Sequence, residues 1–288
     1  YIMKIASIDI GTNAVKSKIF KTTPTSIEFI EGIRSPIRLG TDVFTNGLLT
    51  KDKLDLLVKT LKKYQKNFIK NKISMYEIVA TSAFRDTQNS EEARRYVENK
   101  IEHPIRIISG LEEAKLIRFH PKAQSRTSKV YVDVGGGSTE IYIYQNNKHI
   151  IQSFQLGAVR GMLCKDDPAE WLRLKKWLSK QSEITTLVGL GGNIRSFLNI
   201  NSVKKMKSKN FIKEVINLNK LDVGSKISSY KLQKDRADVI DFALQIYLEI
   251  IKILKVQEIK STKWGVSDSI AVKTFHELYS KKISISRN

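Results

Sequence analysis

The stretch Ile8-Asp9-Ile10-Gly11-Thr12-Asn13, echoed at Val132-Asp133-Val134-Gly135-Gly136-Gly137-Ser138-Thr139-Glu140, decides how this sequence is read. From Lys4 to Phe20 the chain reads as strand, glycine turn, strand, with Ile8 and Ile10 alternating around Asp9 and the turn at Gly11-Thr12-Asn13. From Val130 to Tyr144 the pattern returns. Val130, Val132 and Val134 alternate with Tyr131 and Asp133, and Ile141 and Ile143 alternate with Tyr142 and Tyr144. Both copies place Asp-x-Gly where strand meets turn. A repeat of this kind predicts two related domains that face each other.

Outward from the hairpins, strands and helices alternate. Thr50 to Phe68 predicts an amphipathic helix with Leu54, Leu57, Val58, Leu61 and Phe68 on one face and lysines on the other. Glu77 to Ala80 is a short strand leading into Thr81 to Asn89, followed by a helix over about Glu91 to Asn99. Ile105 to Ile108 is a strand, and Ser109 opens a helix reaching about His120. Pro121 to Lys129, polar and aperiodic, reads as a linker. Thr186 to Leu190 is a buried strand ending in Gly191-Gly192-Asn193, and Asp235 to Leu254 reads as one long helix. The class is α/β, divided into domains at 3–122 and 123–288, with the last helix able to pack back on the first domain.

The chain has 288 residues, ample for two cores, and 50 Lys plus Arg against 29 Asp plus Glu give it a net charge of +21. Such a charge predicts an anionic partner. The bases cluster: Lys51 to Lys72 holds eight Lys against two Asp, and Asn201 to Arg236 holds ten Lys or Arg against three acids. No apolar run suits a bilayer; the best, Ile246 to Leu254, is interrupted by Glu249 and Lys252. The first residues lack a leader pattern, which together with a lone cysteine predicts a cytoplasmic protein. Cys164 reads as a packing residue. His103, His120, His149 and His276 show no metal-ligand spacing, and Trp171 and Trp177 read as packing.

The chemistry points at the two hairpins. A tight glycine turn bares successive backbone N–H groups, a nest that suits phosphate oxygens, and Thr12, Asn13, Ser138 and Thr139 add side-chain donors. An aspartate beside such a nest repels phosphate unless a divalent cation lies between. Asp9 and Asp133 are therefore natural magnesium partners, directly or through water.

Facing hairpins of this type resemble the actin, Hsp70 and sugar-kinase superfamily. Within it the sequence is similar to the exopolyphosphatase and guanosine pentaphosphate phosphohydrolase (Ppx/GppA) family, in its short, two-domain class. The motifs that carry this are Ile8 to Asn13, Arg38-Leu39-Gly40, Ala80 to Asp86 with Asn89, Ile108 to Ala114 and Val132 to Glu140, with weaker echoes at Gly191-Gly192 and Arg236 to Ile240. The resemblance implies two facing actin-like (ribonuclease H-like) domains with a catalytic cleft between them. It implies Glu113 as the general base for the hydrolytic water, and Asp133 and Glu140 as holding magnesium or activating water beside it. Gly11, Thr12, Asn13, Arg85, Gly135, Gly136, Gly137, Ser138, Gly191 and Gly192 would hold phosphate. Arg85 beside Asp86 also reads as a surface ion pair. The chain departs from the family pattern at Asn193, where a threonine is usual, at Asp241, where a glycine is usual, and at Gly265-Val266-Ser267-Asp268-Ser269 in place of Gly-Leu-Arg-Glu-Gly.

Hydrolysing a phosphoanhydride needs an in-line water, neutralised phosphoryl oxygens and a base for the water's proton. The expectation is a magnesium-dependent phosphoanhydride hydrolase that releases terminal phosphate from inorganic polyphosphate. Guanosine pentaphosphate is the alternative substrate, and a weakly active polyphosphate-binding protein the alternative class. A sugar or acetate kinase is disfavoured, and no Walker-type loop occurs. Membranes and nucleic acid are not the expected partners; a homodimer is left open.

Overall fold

The computed structural model of the protein describes residues 2–125 and 128–285; Tyr1 and two residues of the expected linker, Arg126 and Thr127, lie outside them. The chain divides into two compact units, one of Tyr1–Ser109 with Val266–Asn288 and one of Gly110–Gly265.

In the first unit, β1 (Met3–Ile10) pairs antiparallel with β2 (Val15–Thr23), and β2 with β3 (Ser26–Ser35). The chain then forms α1 (Leu39–Asn46), α2 (Lys51–Lys70), β4 (Met75–Ala80), α3 (Ser82–Arg85), α4 (Ser90–Ile101) and β5 (Arg106–Ile107). Strands β4 and β5 add in parallel, giving the order β3-β2-β1-β4-β5. Central strand β1 is buried from Ile5 through Ile10, as a strand covered on both faces must be. Helix α2 buries the predicted stripe and Tyr64, and Thr50 caps it by accepting the Lys53 N–H.

The second unit opens with α5 (Gly110–Leu116) and runs through β6 (Lys129–Val134), β7 (Thr139–Gln145), β8 (Lys148–Phe154), α6 (Ala158–Met162), α7 (Pro168–Leu178), β9 (Thr186–Leu190) and α8 (Gly191–Ile200). It ends with β10 (Lys205–Lys207), α9 (Ser208–Asn219), α10 (Val223–Tyr230), α11 (Lys234–Ala237), α12 (Ile240–Leu254) and β11 (Glu258–Ser261). The strand order is β10-β11-β9-β6-β7-β8. Counted from β8, it repeats the first sheet: two antiparallel pairings, then parallel β9 and β11, with β10 as an extra edge. The repeat read in the hairpins thus extends to whole sheets.

The structure departs from the sequence reading in three places and takes up one option that the reading left open. The units meet at Ser109 and Gly110 rather than at 122/123, because α5 packs on β7 and β8. Helix α13 (Val266–Ile285) packs back on the first unit, the arrangement the sequence reading allowed, with Ala271, Phe275 and Tyr279 joining Ile5 and Phe20 in one cluster. The long helix expected over Asp235 to Leu254 is broken at Asp238-Val239, where the Val239 N–H turns back to the Arg236 carbonyl. Cys164 is exposed rather than packed, and at φ 53° it closes the turn after α6. Among the described residues no helix is long and apolar enough to cross a membrane.

His120 is a core fitting of the second unit. Its ring lies 5.2 Å from Tyr131 and 5.4 Å from Trp264, and Nδ1 accepts the Lys122 N–H at 3.1 Å. The proton therefore sits on Nε2, which faces the Thr262 hydroxyl. Burial, with Lys122 and Lys129 nearby, holds the ring's pKa down to about 4 from 6.5. The unfolded chain takes up this proton first, so stability falls as pH drops from about 6.5 to about 4. In urea titrations at pH about 7 and about 4.5, the wild type should lose ground relative to His120→Gln at the lower pH. A gap that stays constant would contradict a neutral ring.

Candidate active site

The second hairpin is built so that its loop offers donors and withholds acceptors. The four residues Gly135 to Ser138 are closed by the Gly135 N–H on the Ser138 carbonyl at 2.9 Å. The carbonyls of Gly135 and Gly136 are taken by N–H groups of Ala158, Val159 and Arg160, and that of Gly137 by the Arg160 guanidinium Nε at 2.9 Å. The N–H groups of Gly136 and Gly137 donate to nothing among the described residues. With its carbonyls tied back, the loop presents a net positive dipole, as an anion site requires. Thr139 is not part of it: the buried hydroxyl donates to the Leu156 carbonyl at 2.7 Å.

Behind the loop, Asp133 lies directly opposite Glu140 across β6 and β7. Such partners place their Cβ atoms about 4.5–5.5 Å apart on one face of the sheet. Glu140 is buried, and the Ser153 hydroxyl of β8 donates to its Oε1 at 2.8 Å. Helix α5 packs on the same two strands, β7 and β8. It carries Glu113 at 9% exposure, while its neighbour Glu112 is exposed. The implied base and the acid pair therefore belong to one unit, although the sequence reading had put Glu113 in the first domain.

Strand β9 runs parallel to β6 with Leu190 beside Asp133, so the start of α8 meets the acid pair. Gly191 has φ +76°, and a Cβ there would stand 2.7 Å from Asp133 Oδ1. One residue on, a Cβ at Gly192 would lie 2.5 Å from the Arg236 guanidinium. These glycines admit a carboxylate and an arginine. Asn193 links the parts: its Nδ2 donates to the Val134 carbonyl at 2.8 Å, and its Oδ1 accepts from Arg236. Arg160, Asn193 and Arg236 were not among the predicted site residues. For Arg236 a signal exists in the family echo at Arg236 to Ile240; for Arg160 there is none.

The first hairpin repeats the plan. Gly11 N–H closes on Ala14, and the carbonyls of Thr12 and Asn13 accept from Gly40 and Arg38. The Thr12 hydroxyl is shared with that of Ser82. Asp9 differs from Asp133 in its partner, the Lys16 ammonium at 3.2 Å. Arg85 donates to the Ile108 carbonyl at 2.9 Å and stands 3.6 Å from Asp86, which fixes the guanidinium from two sides.

No group of three His, Cys, Asp or Glu side chains able to hold a metal occurs among the described residues. A pair suffices for magnesium, which takes one or two carboxylates and fills its octahedron with water and phosphate oxygen. Asp133 and Glu140 beside the donor loop fit that requirement.

Residues 18–182 match the model of the Ppx/GppA phosphatase family, more than half of the chain. The chain belongs to the Ppx/GppA phosphatase family. As a Ppx/GppA member it is a phosphoanhydride hydrolase. Its fold is that of the family's solved structures, the actin-like α/β fold. An Aquifex aeolicus family member is 24% identical with TM-score 0.77, covering 96% of this chain and 99% of that one. A Cytophaga hutchinsonii exopolyphosphatase superposes with TM-score 0.85 at 19% identity, covering 96% and 98%. An exopolyphosphatase-like protein gives 0.81 at 19% identity, covering 96% and 99%.

Gly157 tests the loop architecture. A Cβ there would sit 2.5 Å from the Gly136 carbonyl oxygen and 2.6 Å from the carbonyl carbons of Gly136 and Gly137. Because backbone must move, Gly157→Ala should cost about 1–3 kcal/mol in chemical denaturation. It should also weaken phosphate inhibition of hydrolysis. Wild-type values for both would show that the loop tolerates displacement.

Proposed function

We propose that this protein releases terminal phosphate from inorganic polyphosphate with the help of magnesium. The observation that carries the reading is the donor loop Gly135 to Ser138, its carbonyls tied back, directly following Asp133 and preceding Glu140. In this reading the Gly136 and Gly137 N–H groups hold phosphoryl oxygens of the terminal phosphate. The carboxylates of Asp133 and Glu140 hold the metal, with Ser153 orienting Glu140. Bound there, magnesium supplies charge neutralisation on the phosphoryl oxygens. Glu113 takes the proton of the attacking water as its oxygen bonds to phosphorus and the bridging oxygen departs. Arg236, fixed by Asn193 beside the start of α8, is assigned to phosphate. From the first unit, Gly11, Thr12, Asn13 and Arg85 are assigned to phosphate as well.

Polyphosphate is favoured over a nucleotide by charge. The net charge is +21, and the lysines of α2 and of residues 201–236 are mostly exposed. A polyanion binding them releases condensed counterions, as nucleic acid does. The deciding experiment measures phosphate release from polyphosphate, guanosine pentaphosphate and ATP side by side with magnesium. Polyphosphate should turn over fastest, with a KM that rises steeply with salt and falls with chain length. Preference for guanosine pentaphosphate, or a KM indifferent to salt, would overturn the substrate assignment.

The two adjacent glutamates separate chemistry from structure. Glu113→Gln should lower kcat by about 10²–10⁴, the usual worth of a positioned base, with little change in melting temperature. Glu112→Gln, at an exposed position, should retain most activity. The reverse pattern would remove Glu113 from its role. Asp133→Asn and Glu140→Gln should each raise the magnesium requirement, and activity persisting in EDTA would end the metal assignment.

A further inference from the structure

The two hairpins are one structure with a single charge reversed. Each has four loop residues closed by a glycine N–H on the carbonyl three residues on, at 3.2 Å in the first and 2.9 Å in the second. Each puts its aspartate one residue before the strand end: Ile10 pairs with Val15 and Asp9 with Lys16, just as Val134 pairs with Thr139 and Asp133 with Glu140. Lys16 thus occupies in the first hairpin the position that Glu140 occupies in the second.

That exchange has an electrostatic consequence. The Asp9 side chain is 3% exposed, and a buried carboxylate must have its charge answered close by. The Lys16 ammonium answers it, 3.2 Å from Oδ2, on a side chain still 39% exposed. A divalent ion bound to Asp9 would have to sit beside that ammonium or displace it, and either arrangement is opposed by like-charge repulsion. Opposite Asp133 the chain supplies a second carboxylate instead.

We propose that Lys16 is the built-in cation of the first hairpin, taking beside Asp9 the place that a divalent ion takes beside Asp133. Asp9 is then not a metal ligand, contrary to the expectation drawn from the sequence, and the chain holds a single divalent ion on its second hairpin. This rests on the metal assignment proposed above, but not on the identity of the substrate.

The test is manganese binding to the full chain without substrate, followed by electron paramagnetic resonance titration and calorimetry. The wild type should bind a single ion. Asp9→Asn should leave its affinity within about threefold, while Asp133→Asn should weaken it by about tenfold or more. Lys16→Glu gives the first hairpin the acid pair of the second and should gain a second ion, seen also as a rise in melting temperature on adding manganese. The proposal is overturned if Asp9→Asn weakens binding as much as Asp133→Asn does. It is overturned equally if folded Lys16→Glu still binds one ion. Should Lys16→Glu fail to fold, the comparison of Asp9→Asn with Asp133→Asn decides alone. A wild type that binds no manganese would remove the metal assignment and this proposal together. Failure to hydrolyse polyphosphate, with these binding results intact, would remove only the substrate reading.

Discussion

The backbone of Gly135, Gly136 and Gly137 can serve an anion only because its carbonyl oxygens are already engaged. Ala158, Val159 and Arg160 engage them, in a helical turn that starts just past Gly157. Much of the second unit follows from that clamp. Gly157 must lack a side chain, since any Cβ would strike the loop backbone. Strand β8 must end where it delivers α6 to the loop, which also brings Ser153 opposite Glu140. In the first unit, Arg38 and Gly40 do the same for the carbonyls of Asn13 and Thr12. The aspartate one residue before each strand end is a consequence: period-two alternation puts it beside the loop while isoleucines and valines fill the core.

The positions where the chain departs from the family pattern are occupied by contacts that this chain makes for itself. Asn193 bridges Arg236 and the Val134 carbonyl. Asp241 pairs with Lys226, which is 1% exposed and needs a counter-charge to be buried at all. Asp268 pairs with Lys18 at 2.6 Å, and the Ser267 carbonyl accepts from Ser7 at 2.7 Å, which fastens the start of α13 to β1 and β2. Each substitution is matched by a partner distant in sequence. Truncating Asp241 would leave the buried Lys226 charge unanswered.

Sequence alone determined the local structure: both hairpins, the apolar stripe of α2, the strands entering Thr81 and Gly191, and the order of the motifs. These are legible because alternation, helical spacing and glycine turns are properties of a few consecutive residues. Edge strands β3 and β8 escaped because neither carries a buried, alternating face; Phe29 and Ile30 of β3 are exposed. Tertiary structure decided the rest. It assigned Glu113 to the unit of Asp133 and Glu140, gave α13 to the first unit, and broke the helix after Ala237 so that Arg236 meets Asn193. It also set Lys16 against Asp9 and Glu140 against Asp133. Sequence left the packing of the last helix open and carried no sign of the other pairings, because each depends on strand register or on packing between segments far apart in the chain. A chain's periodicity says which face of an element is buried, but only packing decides what that face is buried against.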